Sequence, residues 1–142
     1  MNPARLPVLL LLACVGLPGC IASNVVAAKD RQVVVAAAEL PWQPAPSAAL
    51  DGLYESVDVR GDAAVSLRKV YYVFQQDGSY TGAALTEVEG CFRFQTLAGT
   101  WRCGADGLSL DDATPVQLDA APDHLRITAP TGVLVLRRGS LL

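Results

Sequence analysis

The chain is poor in the residues from which most catalytic and metal sites are built. It has a single histidine, His124, among 142 residues. A metal site needs several ligands, so a lone histidine in the turn "PDH" reads as a solvated surface residue. There is no Cys-x-x-Cys, and no serine has the Gly-x-Ser-x-Gly context of a nucleophile elbow. The glycines are spaced as punctuation between strands, not gathered into a phosphate loop. The adjacent Asp111 and Asp112 stand at a strand end, where neighbours point to opposite faces. That placement suits a solvated turn better than a two-carboxylate acid/base pair. No run of about 20 apolar residues is present, so no transmembrane helix is expected. Nor is there a basic stripe of the kind nucleic acid or an anionic lipid surface requires. The sequence therefore calls for no catalysis, no metal, no cofactor and no nucleic-acid partner.

What is present begins with targeting. Met1 to Arg5 carry one positive charge, and Leu6 to Gly16 are apolar apart from Pro7. Small residues and a cysteine follow, the layout of an export signal. Leu17-Pro18-Gly19-Cys20 resembles the bacterial lipobox. That resemblance implies cleavage before Cys20 and acylation of its thiol. Leu11-Leu12-Ala13-Cys14 fits the same pattern, but cleavage there leaves a very short apolar core, so Cys20 is the expected lipid attachment site. A single acyl chain holds a protein only marginally; the lipobox pattern implies several. Ile21 follows the cysteine where an Asp would resemble an inner-membrane retention signal, which leans toward the outer membrane, facing the periplasm. All 14 acidic residues and ten of the 11 basic ones follow Cys20, giving the mature chain a net charge of −4.

Residues 20–50 are rich in Ala, Val and Pro. "PWQPAPSAA" is too proline-rich for a regular helix or a central strand and reads as a semi-rigid tether. Within it, Trp42 is either folded back on the domain or exposed. "RQVVVAAAEL" fits a short helix or an extra strand equally well. From Asp51 to the end the texture changes to short runs of β-formers separated by Gly, Asp and Pro. "QDGSY" places Asp77-Gly78 between two strands, the strongest short hairpin signal. "APTG", residues 129–132, is another connector. Strands recur about every ten residues, which predicts an all-β domain over 51–142, an antiparallel barrel or sandwich. Residues 62–69 are the one candidate for a helical turn.

"CFRFQT" and "GTWRC" read as the arms of a hairpin turning near Leu97 and Ala98. Cys91 then lies opposite Cys103, and in an exported domain that pair is expected to form a disulfide, stabilising the fold by roughly 3 kcal/mol in the chain-entropy picture. Tyr71, Tyr72, Phe74, Tyr80, Phe92, Phe94 and Trp101 cluster in the middle of the domain. They serve either as core packing or, for Tyr72, Phe74, Tyr80, Phe92, Phe94 and Trp101, as the lining of an apolar cavity.

"GLYES", "YVFQQDGSYTGAAL", "FRFQTLAGTWRCGADGLSL" and "LRITAPTGVLVLRR" together resemble small lipocalin-like bacterial domains. The likeness covers residues 51 to 138 and implies an up-and-down β-barrel. The expected protein is thus a membrane-anchored periplasmic lipoprotein: signal peptide 1–19, lipidated N-terminus and tether 20–50, β-barrel 51–142. It would bind an apolar small molecule or an envelope partner. The alternatives are an envelope inhibitor or assembly accessory acting through exposed loops, with "VRGDAAVSLR" (59–68) the candidate loop, or a freely secreted ligand-binding domain.

Overall fold

The computed structural model describes residues 39–45 and 50–140. The signal peptide, Cys14, Cys20 and most of the tether lie outside the described residues. The described part is all-β, as expected. Nine strands form one curled antiparallel sheet: β1 (Gln43–Pro44), β2 (Gly52–Gly61), β3 (Leu67–Phe74), β4 (Ser79–Val88), β5 (Cys91–Gly104), β6 (Gly107–Leu110), β7 (Gln117–Ala121), β8 (His124–Ala129) and β9 (Gly132–Arg138).

The chain meanders from β2 to β9 as an up-and-down barrel, and β9 returns to pair with β2 from Tyr54↔Arg138 to Gly61↔Gly132. The remaining seam lies between β6 and β7. One bridge draws it together: Leu108 and Val116 exchange two backbone hydrogen bonds of 2.9 Å. β1 fills the rest of the β7 edge, pairing Gln43 with Ala120 and Pro44 with Asp119. The proline-rich tether therefore ends inside the sheet. Its prolines are tolerated because β1 is an edge strand.

Side chains of one parity fill the interior. Tyr54, Val70, Phe74, Tyr80, Ala84, Leu108, Leu118, Leu125 and Leu136 form a buried cluster closed at one rim by Leu50. β2 departs from the simple alternation of its sequence. The β2–β9 register shifts between Ser56 and Asp58, so Tyr54 and Ser56 face inward before this bulge and the parity changes beyond it. Buried Ser56 is satisfied by accepting a hydrogen bond from Val70 N at 2.9 Å. The expected helical turn is shorter than residues 62–69: a 3-10 turn covers Asp62–Val65, and β3 begins at Leu67.

The largest departure is β5. It is one uninterrupted strand of 14 residues, not two arms about Leu97. The turn lies earlier, at Glu89-Gly90, where both residues take positive φ (52° and 78°). That is the two-residue turn whose twist matches a hairpin. Residues 91–100 then pair without a break with residues 88–79 of β4.

Leu136 is fully buried, whereas Phe94 is 67 % exposed. Replacing Leu136 by Ala is expected to cost about 2–5 kcal/mol in urea unfolding. Phe94→Ala is expected to change stability by less than about 0.5 kcal/mol.

Candidate functional site

The six aromatic residues expected to line one cavity divide between two faces. Tyr72, Phe74, Tyr80 and Trp101 point inward and pack on one another. Tyr72 stacks on Phe74 at 5.4 Å between ring centroids, Tyr80 meets Tyr72 edge-on at 5.8 Å, and Trp101 meets Phe74 edge-on at 6.0 Å. Such edge and offset contacts are the preferred aromatic geometries and add to the core. Phe92 and Phe94 have the opposite parity on β5. They stand on the outer face, opposite Glu87 and Leu85 of β4. With Tyr71, 41 % exposed, they give the outer face of β3–β5 an apolar strip.

The expected Cys91–Cys103 disulfide is not formed. The two residues lie twelve positions apart on the single strand β5, roughly 40 Å along an extended chain, whereas a disulfide needs Cα atoms within about 7 Å. Cys91 is opposite Val88 at the hairpin tip, and Cys103 is opposite Leu108, its Sγ donating to Ala45 O at 3.7 Å.

Asp111 does more than occupy a solvated turn. Asp111 and Asp112 both take positive φ (51° and 59°), which turns the chain sharply after β6. The Asp111 carboxylate swings back over β5. It accepts hydrogen bonds from Tyr80 Oη at 2.6 Å and from Thr100 N at 2.9 Å, while Asp111 N donates to Thr100 O at 2.8 Å. Gly99 makes room for it: a Cβ there would lie 1.8 Å from Asp111 Oδ1. The Tyr80 hydrogen bond, aided by Thr100 N, holds the Asp111 carboxyl below the usual carboxylate range. Burial, reinforced by that hydrogen bond, pushes the Tyr80 phenol up to about 12. Tyr80 thus stays protonated at neutral pH and acts as a hydrogen-bond donor, not as a base.

Other carboxylates are held in place too. Glu55 lies between Lys69 Nζ at 2.9 Å and Arg137 Nη2 at 2.5 Å on the outer face. Buried Asp119 accepts from Arg126 at 2.6 Å and 2.9 Å and from Gln117. Burial opposes ionisation of both groups, but the hydrogen bonds from these partners outweigh it and lower both pKa values. Arg126 also covers the Trp42 ring at 4.7 Å, so Trp42 is folded back on β8. His124 Nδ1 lies 2.8 Å from Pro122 O beside its turn. An open groove of about 550 Å³ runs between the β5–β6 turn and residues 112–115, with Arg102, Asp106 and Asp112 on its walls. Among the described residues no group of three or more His, Cys, Asp or Glu side chains is placed to hold a metal ion.

The lowered carboxyls of Asp111, Glu55 and Asp119 contribute stability above their unfolded pKa of about 4, and that contribution is lost as pH falls through their folded values. The urea midpoint is therefore expected to be flat above about pH 5 and to fall below about pH 4, with a shallower fall in Asp119→Asn. Gly99→Ala must displace Asp111, and is expected to lower the urea midpoint at pH 7 and return the Tyr80 ultraviolet titration toward that of a free phenol. No family model matches the chain, and neither does any curated protein or solved structure, so the functional reading stands on this geometry.

Proposed function

We propose that this protein is an exported, lipid-anchored binding module that meets a protein of the cell envelope through the β4–β5 hairpin. The observation that carries this reading is the division of the aromatic residues. Tyr72, Phe74, Tyr80 and Trp101 fill the barrel with their own contacts, while Phe94 stands on the outer face, 67 % exposed. An exposed aromatic beside Leu85 and Phe92 suits a protein surface, where aromatic anchors dominate binding. An apolar small molecule in the barrel would have to displace the packed rings.

Chain direction supports the same arrangement. β1 joins the barrel at the rim that holds Gly52, Phe74 and His124, through its pairing with Asp119 and Ala120. The Glu89-Gly90 turn lies at the opposite rim, with Gly61 and Gly132. Val65, 77 % exposed, and Val88, 47 % exposed, lie at that same rim. A tether acylated at Cys20 would hold the first rim toward the membrane and present the hairpin away from it. The candidate loop at 59–68 contributes Val65 to this apolar rim but folds against the hairpin, since Glu87 N donates to Ser66 O at 2.8 Å.

Two experiments test the reading. Membrane-extracted protein is expected to have the mass of a chain beginning at Cys20 plus acyl groups, and Cys20→Ser to lose both acylation and membrane retention. A photo-crosslinking side chain at position 94 is expected to capture a discrete envelope protein in cells, and one at position 126, under Trp42, is not. Saturable one-to-one binding of a fluorescent fatty acid that quenches Trp101, with no crosslink from position 94, would favour the small-molecule carrier instead.

A further inference from the structure

Among the described residues, β5 has one edge without a neighbouring strand over much of its length. From Phe92 to Ala98 it pairs with β4 on one side only; β6 reaches no further than Trp101↔Leu110, and Asp111 extends that contact to Thr100. The orientation of the backbone groups is fixed by the bonds at the paired end. Trp101 N donates on the β4 side to Gly78 O, in the turn before that strand, whereas Thr100 N and O face Asp111. Backbone groups alternate sides along a strand. The N–H and C=O groups of Phe92, Phe94, Thr96 and Ala98 therefore all point to the side where, among the described residues, no strand lies.

Natural sheets guard such edges with proline, bulges, short strands or charged side chains. Here the one charge along the edge is Arg93. "FRFQTLA" contains no proline or lysine, and its register with β4 shows no shift over ten residue pairs. Side chains on its two faces differ in kind. Phe92 and Phe94 lie on the outer face. Arg93 lies on the other, opposite Thr86. Among the described residues, Arg60, Arg68, Lys69, Arg102, Arg126 and Arg137 all form ion pairs, and Arg138 donates to Tyr54 Oη and Asp51 O. Arg93 has no such partner and is exposed.

We infer that β5 is a strand-addition site whose occupant is an extended segment of a partner protein, apolar on one face and acidic on the other. Its backbone would satisfy Phe92, Phe94, Thr96 and Ala98. Its apolar side chains would lie beside Phe94, and a carboxylate would sit opposite Arg93. Main-chain bonds supply affinity in such complexes and alternate side chains supply selectivity. The inference rests on the proposed partner-binding role and names how that partner is held.

The test uses the chain from residue 20 onward, Cys20→Ser, and the capped peptide Val-Thr-Val-Glu-Val-Thr-Val as probe. Amide hydrogen exchange is followed by NMR. The peptide is expected to slow exchange at Phe92, Phe94, Thr96 and Ala98 at least tenfold on saturation, leaving the amides of Arg93, Gln95 and Leu97 unchanged. A peptide with Lys for Glu is expected to bind roughly three-fold more weakly, the size of an exposed ion pair, and Arg93→Glu to reverse that preference. Thr96→Pro removes an N–H that faces the open edge, not β4, and is expected to abolish binding while Trp101 fluorescence stays native. Four results would overturn the inference. The edge amides are already slow in dilute protein without peptide, they become slow only as protein concentration rises (a second copy), they show contacts to residues before Glu39 (the protein's own tether), or they ignore both peptides. If the edge ignores the peptides while position 94 still crosslinks a partner, strand addition falls and the partner-binding role stands.

Discussion

Gly99 leaves the space that the Asp111 carboxylate fills, and that close approach shapes this side of the barrel. Asp111 reaches Tyr80 and Thr100 only because residue 99 has no side chain. The carboxylate draws the chain across β5 and ends β6 at Leu110; Ala113 N and Ser109 Oγ then close the turn that follows. A longer β6 would have covered β5 along its whole length. The clasp anchors a phenol at the barrel wall, and β6 stops beside it, so among the described residues the far half of β5 has no strand on that side. One ionic hydrogen-bonded contact thus shapes both the interior and the surface on which the functional reading depends.

The interior follows from the same economy of space. An eight-strand barrel is just wide enough for side chains to fill it, and here four aromatic rings and a shell of leucines do so. Outside, charge is arranged as pairs against the sheet. Glu55 is shared by Lys69 and Arg137 across three strands, and Asp119 is clamped by Arg126. Arg126 in turn covers Trp42. The arriving tether is therefore held by both β1 pairing and a cation–π contact, so its end belongs to the fold.

The fold class was legible because the period-two pattern and the Asp77-Gly78 and Pro130-Thr131 turns are strong local signals. Gly78 does take positive φ, at 83°. The β4–β5 turn was not legible. Glu89-Gly90 lacks the Asn or Asp that usually marks such a turn, and the symmetrical look of "CFRFQT" and "GTWRC" suggested a reversal at Leu97. Placing the turn there moved the cysteines together and turned Phe92 and Phe94 inward. One misplaced turn accounts for both errors. β2 hides its buried side chains differently: Tyr54 and Ser56 are the buried pair, and a bulge beyond Ser56 breaks the alternation. A bulge leaves no mark that single-sequence periodicity detects. The Asp111 clasp was hidden because its partners, Tyr80 and Gly99, are remote in sequence.

Closure of the barrel also bears on when folding can finish. The last strand pairs with the first strand of the meander, and Arg137 meets Glu55 across 82 positions. Contacts that distant are slow to form, because a long loop must be ordered before they repay it. Until β9 is available, β2 and β8 each keep an open edge, and Leu136, among the most buried side chains of all, is missing from the core. A chain emerging from a ribosome N-terminus first must therefore keep those edges open until Gly132–Arg138 is free. The topology acts as a timing device: the barrel locks only once β9 is available to pair with β2.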